Sequence, residues 1–194
     1  MSIVMLALLA LILGTGGGAA LVIMRQLRKA QPPQLPQHTA TRHALNLQLN
    51  DVVIHMDAQY LVEGRVTFEE AGQRWFTYRL VDGDVVRWLR ARPGDEAEVT
   101  LLEEVAPLTE EARPPQSLTW EGATFKLKGW GQARTTFTGA HTRPNVARCE
   151  YHDYQGPGDR VITIELWGPE QTCSLAGREL EPYLLEFMPG DAIS

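Results

Sequence analysis

This 194-residue chain predicts an all-β domain, a β-sandwich or flattened barrel built from two similar halves, preceded by one N-terminal transmembrane helix. Three observations carry that prediction. Residues 1–24 contain no charged side chain, whereas the rest of the chain is mixed and acidic. After residue 30 the apolar pattern has the short alternation of strands, rich in β-branched and aromatic residues, without a long helical period. The stretch YLVEGRVTF (60–68) is echoed by FKLKGWGQA (125–133), each with an aromatic residue four positions before a glycine.

The first element in chain order is the helix. At ~1.5 Å per residue a helix over residues 1–24 reaches about 36 Å, enough to cross a hydrocarbon core of ~30 Å. Nothing basic precedes the apolar run, so it lacks the n-region of a cleavable signal. Arg25, Arg28 and Lys29 follow it directly. That asymmetry puts the N-terminus outside and the remainder in the cytoplasm, anchored in the cell inner (plasma) membrane. Gly14 and Gly18 have the spacing that lets transmembrane helices approach closely, which makes weak self-association an expectation. Residues 25–46 are a basic, then Pro/Gln-rich tether, with AQPPQLPQHTATRH (30–43) reading as a semi-extended linker. In a reducing compartment Cys149 and Cys173 are expected as free thiols.

The domain follows at 47–194, in halves at about 47–105 and 118–185. Short strands are predicted at VVIHM (52–56), YLVEGRVTF (60–68), RWFTYRLV (74–81), VVRWLRA (85–91) and EVTLLEEV (98–105). After a break at 103–117 come ATFKLKGW (123–130), ARTTFT (133–138), RCEYHDY (148–154), RVITIELW (160–167) and QTCSL (171–175). PYLLEFM (182–188) reads as a short closing helix or a last strand. Asp82-Gly83 marks a hairpin turn, and GPGD (156–159) marks another reversal. Trp75 and Tyr78 before the first turn match Tyr151 and Tyr154 before the second, and Trp88-Leu89 matches Leu166-Trp167. Each half is too small to be stable alone, so the two are expected to share one core.

The stretch GRVTFEEAGQRWFTYRLVDGDVVRWL (64–89) resembles the signature of a bacterial family catalogued as domain of unknown function 4178. The likeness rests on Gly64, Trp75-x-x-Tyr78-x-Leu80, Asp82-Gly83 and Trp88-Leu89. It continues through Tyr151, Tyr154 and Ile164-Glu165-x-Trp167, covering about residues 47–185. Asn50-Asp51 departs from it, because family members tend to carry Gly-Asp before the first strand. The resemblance implies an all-β domain with no catalytic residues to carry over. It also implies a membrane-stress setting, since similar domains tend to be encoded near phage-shock-type proteins and polyamine-synthesis-like enzymes.

Residues 1–46 hold four Lys/Arg and no acid, which leaves 14 basic against 24 acidic side chains in 47–194, a formal charge of −10. Such a domain repels phosphate backbones, so no nucleic-acid partner is expected. No phosphate-binding loop, dinucleotide fingerprint, nucleophile elbow or zinc spacing appears, and neither enzyme activity nor a cofactor is expected. Cys149-x-x-His152, with His141 and Cys173, invites a metal. On a strand, however, positions i and i+3 point to opposite faces, so no metal site is expected.

Three places offer an interaction surface. Trp75 with Arg79, and Trp88 with Arg90, form an aromatic–arginine face of the first long hairpin. Glu165 and Trp167 share the face of their strand opposite Ile162 and Ile164. The loop TGAHTRPN (138–145), which has only EEAGQ (69–73) as its counterpart, presents His141, Arg143 and Asn145. The expected function is a membrane-anchored cytoplasmic module that binds or scaffolds another membrane or cytoplasmic protein. The alternative is a binding domain for a small cationic ligand such as a polyamine, held by acids and aromatic rings.

Overall fold

We describe residues 41–109, 113–169 and 171–190 from a computed structural model. The expected transmembrane helix, its Gly14–Gly18 spacing and most of the linker lie outside the described residues. Among the described residues no helix is long and apolar enough to cross a membrane.

The described chain forms eleven strands: β1 (Val52–His55), β2 (Ala58–Glu70), β3 (Gln73–Asp82), β4 (Val85–Arg92), β5 (Glu98–Val105), β6 (Ser117–Trp120), β7 (Ala123–Gly139), β8 (Arg148–Gln155), β9 (Arg160–Leu166), β10 (Thr172–Leu180) and β11 (Leu185–Met188). Residues 182–188 supply both alternatives foreseen for them, a single 3-10 turn over Pro182–Leu184 and then β11. The runs 123–130 and 133–138 are one continuous strand, and β6, for which no strand was expected, begins at Ser117, the last residue of the expected break.

Every pairing is antiparallel. Eight strands run in the order β2-β3-β4-β5-β10-β9-β8-β7, and β7 then pairs with β2, closing a barrel. The sandwich alternative fails on that seam, where Gly64–Glu69 pair with Gly139–Arg134. A closed ring leaves no gap between two layers. β1 and β11 extend the sheet beyond β2, and β6 extends it beyond β7.

Tight turns set the registers. Glu70 pairs Gln73 across Ala71-Gly72, and both turn residues have positive φ, 50° and 82°. That is the mirror-image turn whose twist matches a hairpin. Glu121-Gly122 repeats it between β6 and β7, with φ 47° and 72°.

The two halves repeat one order of pairings, β1 to β5 and β6 to β10, with an irregularity at Val62/Gly64 in β2 and at Leu127/Gly129 in β7. The aromatics match less well. Gly64 pairs Arg79 and Gly129 pairs Asp153, so Leu80 corresponds to Tyr154 and Tyr78 to His152. By the same register Trp88 corresponds to Thr163 rather than to a ring.

The core is divided by the barrel wall. Outside it, one apolar layer joins Leu47, Val53, Tyr60, Tyr78, Leu80, Leu89 and Leu185 and another joins Leu118, Phe125, Tyr154, Ile162, Ile164 and Ala176; inside it, Val66, Phe68, Trp75, Cys149 and Trp167 cluster. The alternate faces of β4 and β9 meet a different environment. Arg90 on β4 reaches Thr163 on β9, although β5 and β10 stand between those strands in the sheet. Both side chains therefore cross the interior of the barrel.

Candidate functional site

The barrel interior carries two charged centres. In the first, Arg90 Nη1 lies 2.7 Å from Asp153 Oδ1 and Arg92 Nη2 lies 2.8 Å from Asp153 Oδ2. Thr163 Oγ1 donates to Asp153 Oδ1 at 2.7 Å and accepts from Arg90. Burial works against the Asp153 charge, but Arg90 and Arg92 overcome it and hold the carboxyl at about 2. The Arg92 guanidinium sits over the Trp75 and Tyr151 rings, at 5.1 and 5.5 Å. The Tyr151 hydroxyl donates a hydrogen bond to Glu70 Oε2 at 2.5 Å, and burial together with that bond raises its pKa.

In the second centre Arg143 enters from the loop after β7. Its Nε is 2.9 Å from Glu165 Oε2 and its Nη1 is 2.9 Å from Glu104 Oε2. Its guanidinium stacks 4.3 Å from the Trp88 ring centre, and Trp167 Nε1 donates to Glu165 Oε2 at 3.1 Å. Burial alone would loosen the Arg143 proton, yet Glu165 and Glu104 hold it more firmly than in an exposed arginine.

These contacts relocate most of the residues expected on a surface. Trp75, Trp88, Arg90, Arg143, Glu165 and Trp167 are buried, and Arg79 is partly buried against Glu63. The expectation of an exposed aromatic–arginine face is corrected by the fold: closure of the barrel turns the strand face that carries Trp75, Trp88 and Arg90 into the interior. The 138–145 loop is not one exposed site either. Arg143 turns inward, His141 stacks 4.4 Å from Phe137 with Nδ1 2.9 Å from the Arg143 carbonyl, and of the three residues singled out there Asn145 alone is exposed.

The cysteine–histidine pattern divides as strand parity requires. Cys149 lies in an apolar cluster with Cys173 and Trp167, and burial raises its pKa. Burial also pushes the Cys173 thiol up to about 11. His152 instead stacks against Trp130 and has Nε2 2.9 Å from Glu150 Oε1.

The first charged centre opens outward. Arg90, Arg92, Tyr151 and Asp153 belong to the lining of a cleft of about 940 Å³, which continues past Trp130 and Lys128 to Glu96, Glu98, Glu179 and Glu181. Trp130 is 62% exposed there. Lys128 Nζ is 3.4 Å from Glu179 Oε1, while Glu96, Glu98 and Glu181 have no cationic partner among the described residues. Sequence reasoning passed over Arg92, Trp130 and these three acids. The only local signal was Trp130 between Gly129 and Gly131, which reads equally well as a strand end.

The family model described as domain of unknown function (DUF4178) matches residues 48–182, more than half of the chain. The chain belongs to the DUF4178 family. The DUF4178 match takes in β1 to β10, and thus the whole barrel. Similar proteins include one from Mycobacterium bovis and two from strains of Mycobacterium tuberculosis, each described as uncharacterized. They are 26% identical over 130 residues, which is 64% of this chain and 63% of theirs. The chain thus spans under two thirds of those relatives' length. No solved structure matches the chain. The position where DUF4178 members tend to carry glycine is Asn50, with φ 69°, a left-handed backbone that asparagine tolerates better than most side chains.

Proposed function

We propose that this DUF4178 barrel binds a small cationic ligand such as a polyamine in the cleft at its mouth. The observation that carries the reading is the charge balance of the lining. Arg90 and Arg92 are engaged by Asp153 and Lys128 by Glu179, whereas Glu96, Glu98 and Glu181, which share the lining with the exposed Trp130 ring, have no ion-pair partner among the described residues. Carboxylates and an aromatic face are the groups that hold ammonium ions, the ring through its quadrupole. Titration calorimetry of the full chain with spermidine should give saturable heat. Replacing Glu96, Glu98 and Glu181 together by Gln should weaken binding at least about tenfold, as loss of ~1.4 kcal/mol would do. Absence of heat with spermidine and shorter diamines would sink the reading.

Residues 1–24 would hold this barrel at the inner membrane with the domain on the cytoplasmic side. A second reading, a scaffold for a membrane or cytoplasmic protein, is favoured by one observation. Leu61 and Met188 are both register partners of Val52 on adjacent strands, and both are partly exposed, at 39% and 38%. An apolar row of that kind suits a protein contact. Crosslinking from native membranes with the full chain, against a Leu61→Asp variant, tests it; identical capture by both would remove it.

A further inference from the structure

On the outside of the barrel, four side chains fall into one cross-strand row. Arg74 on β3 pairs Glu69 on β2, Glu69 pairs Arg134 on β7, and Arg134 pairs Arg148 on β8. Direct cross-strand partners project from the same face, and like charges placed opposite one another destabilise a sheet. Arg134 and Arg148 are such a pair. Glu69 does not relieve them, because its ion pair, at 3.5 Å, is with Arg74. Neither Arg134 nor Arg148 has a carboxylate within ion-pair distance among the described residues. In a domain with a formal charge of −10, the row concentrates three guanidinium groups around a single carboxylate.

The same two arginines line a hollow of about 410 Å³ with Gln132, the Ala71-Gly72 turn and Glu69, whose carboxylate is the one paired with Arg74. Glu70 also borders this hollow, but its carboxylate is turned to the Gln132 backbone N–H at 2.8 Å and to the Tyr151 hydroxyl. Two adjacent planar forks offer bidentate hydrogen bonds to a tetrahedral oxyanion, and a dianion would cancel their repulsion.

We propose that this hollow is an anion site for a phosphate group, held between Arg134 and Arg148. It is distinct from the acidic cleft, whose lining shares neither arginine. The phosphate could be carried by a free phosphate ester or by a lipid headgroup, and the two sources are separable. Thermal unfolding of the full chain would be followed with rising inorganic phosphate against chloride at equal ionic strength. Flotation of the chain lacking residues 1–24 would be measured with phosphatidic acid vesicles and with phosphatidylcholine vesicles.

In the wild type, phosphate should raise the unfolding temperature saturably, and Arg148→Gln should abolish that rise. Without phosphate, Arg148→Gln should be at least as stable as the wild type, because it removes a like-charge pair. Flotation with phosphatidic acid alone, lost in Arg148→Gln, identifies the lipid as the source. A phosphate effect without flotation identifies a soluble ester. An equal phosphate effect in wild type and variant is a general salt effect and overturns the proposal, as does no response to phosphate and no flotation.

Discussion

At the residue scale, Asp153 shows how an enclosed carboxylate binds the barrel to pH. Its pKa falls from 3.8 to about 2 on folding, so between those values the unfolded chain holds more protons than the folded one. Stability from this group is therefore complete above about pH 4 and is lost as the pH falls through 2. The difference amounts to about 2 kcal/mol. Urea unfolding of wild type and Asp153→Asn should differ most near neutral pH, with the gap shrinking between pH 5 and pH 2. A gap independent of pH would show that the carboxylate charge contributes nothing. Residue identity alone could not reveal this role. Asp153 and Thr163 are register partners on β8 and β9, but only closure of the ring brings Arg90 of β4 to them. Arg90 and Trp88 were recognisable as unusual strand residues, but alternation assigned them to solvent because it assumes that one face of a strand is wet.

At the element scale, the paired irregularities of β2 and β7 look alike in sequence and differ in consequence. Gly64 faces Arg79 on one side and Gly139 on the other, and a Cβ there would overlap the Ala140 carbonyl. Gly129 pairs only Asp153, and a Cβ there meets nothing within 4 Å. Gly64→Ala should cost about 3 kcal/mol or more by prising open the β2–β7 seam, while Gly129→Ala should stay within about 1 kcal/mol. Equal losses in denaturant unfolding would refute this account of the seam. Strand positions were largely legible, since alternation and turn residues marked β1 to β5, β8 and β9 closely, while β10 was begun correctly but ended at residue 175. β7 was divided in the prediction at Gly131-Gln132, between the runs 123–130 and 133–138. Gly131 is there because Glu70 and the Tyr151 hydroxyl crowd its Cβ position. β6 escaped notice because four residues beside a proline-rich stretch owe their strand conformation to β7 rather than to their own pattern.

At the scale of the whole molecule, the repeat of YLVEGRVTF in FKLKGWGQA was a sound guide to architecture, since Tyr60 and Phe125 are both buried and precede the two irregularities. The choice between sandwich and barrel was not legible, because it turns on contacts between residues far apart in the chain. Placement in the cell remains a matter for residues 1–24. Removing them should shift the protein from the membrane to the soluble fraction, and protease added to spheroplasts should spare the domain of the full chain. Digestion of the domain from outside would reverse the proposed orientation. The seams have a further consequence for biosynthesis. β2 waits for partners on β7 about seventy residues later, and β5 waits about as long for β10. At roughly 5–20 residues per second, the first half leaves the ribosome with open strand edges for roughly 4–14 seconds before its mates exist. The nascent chain is therefore most prone to aggregate in that interval, and a tether holding each chain apart from its neighbours would shield it when its own fold cannot.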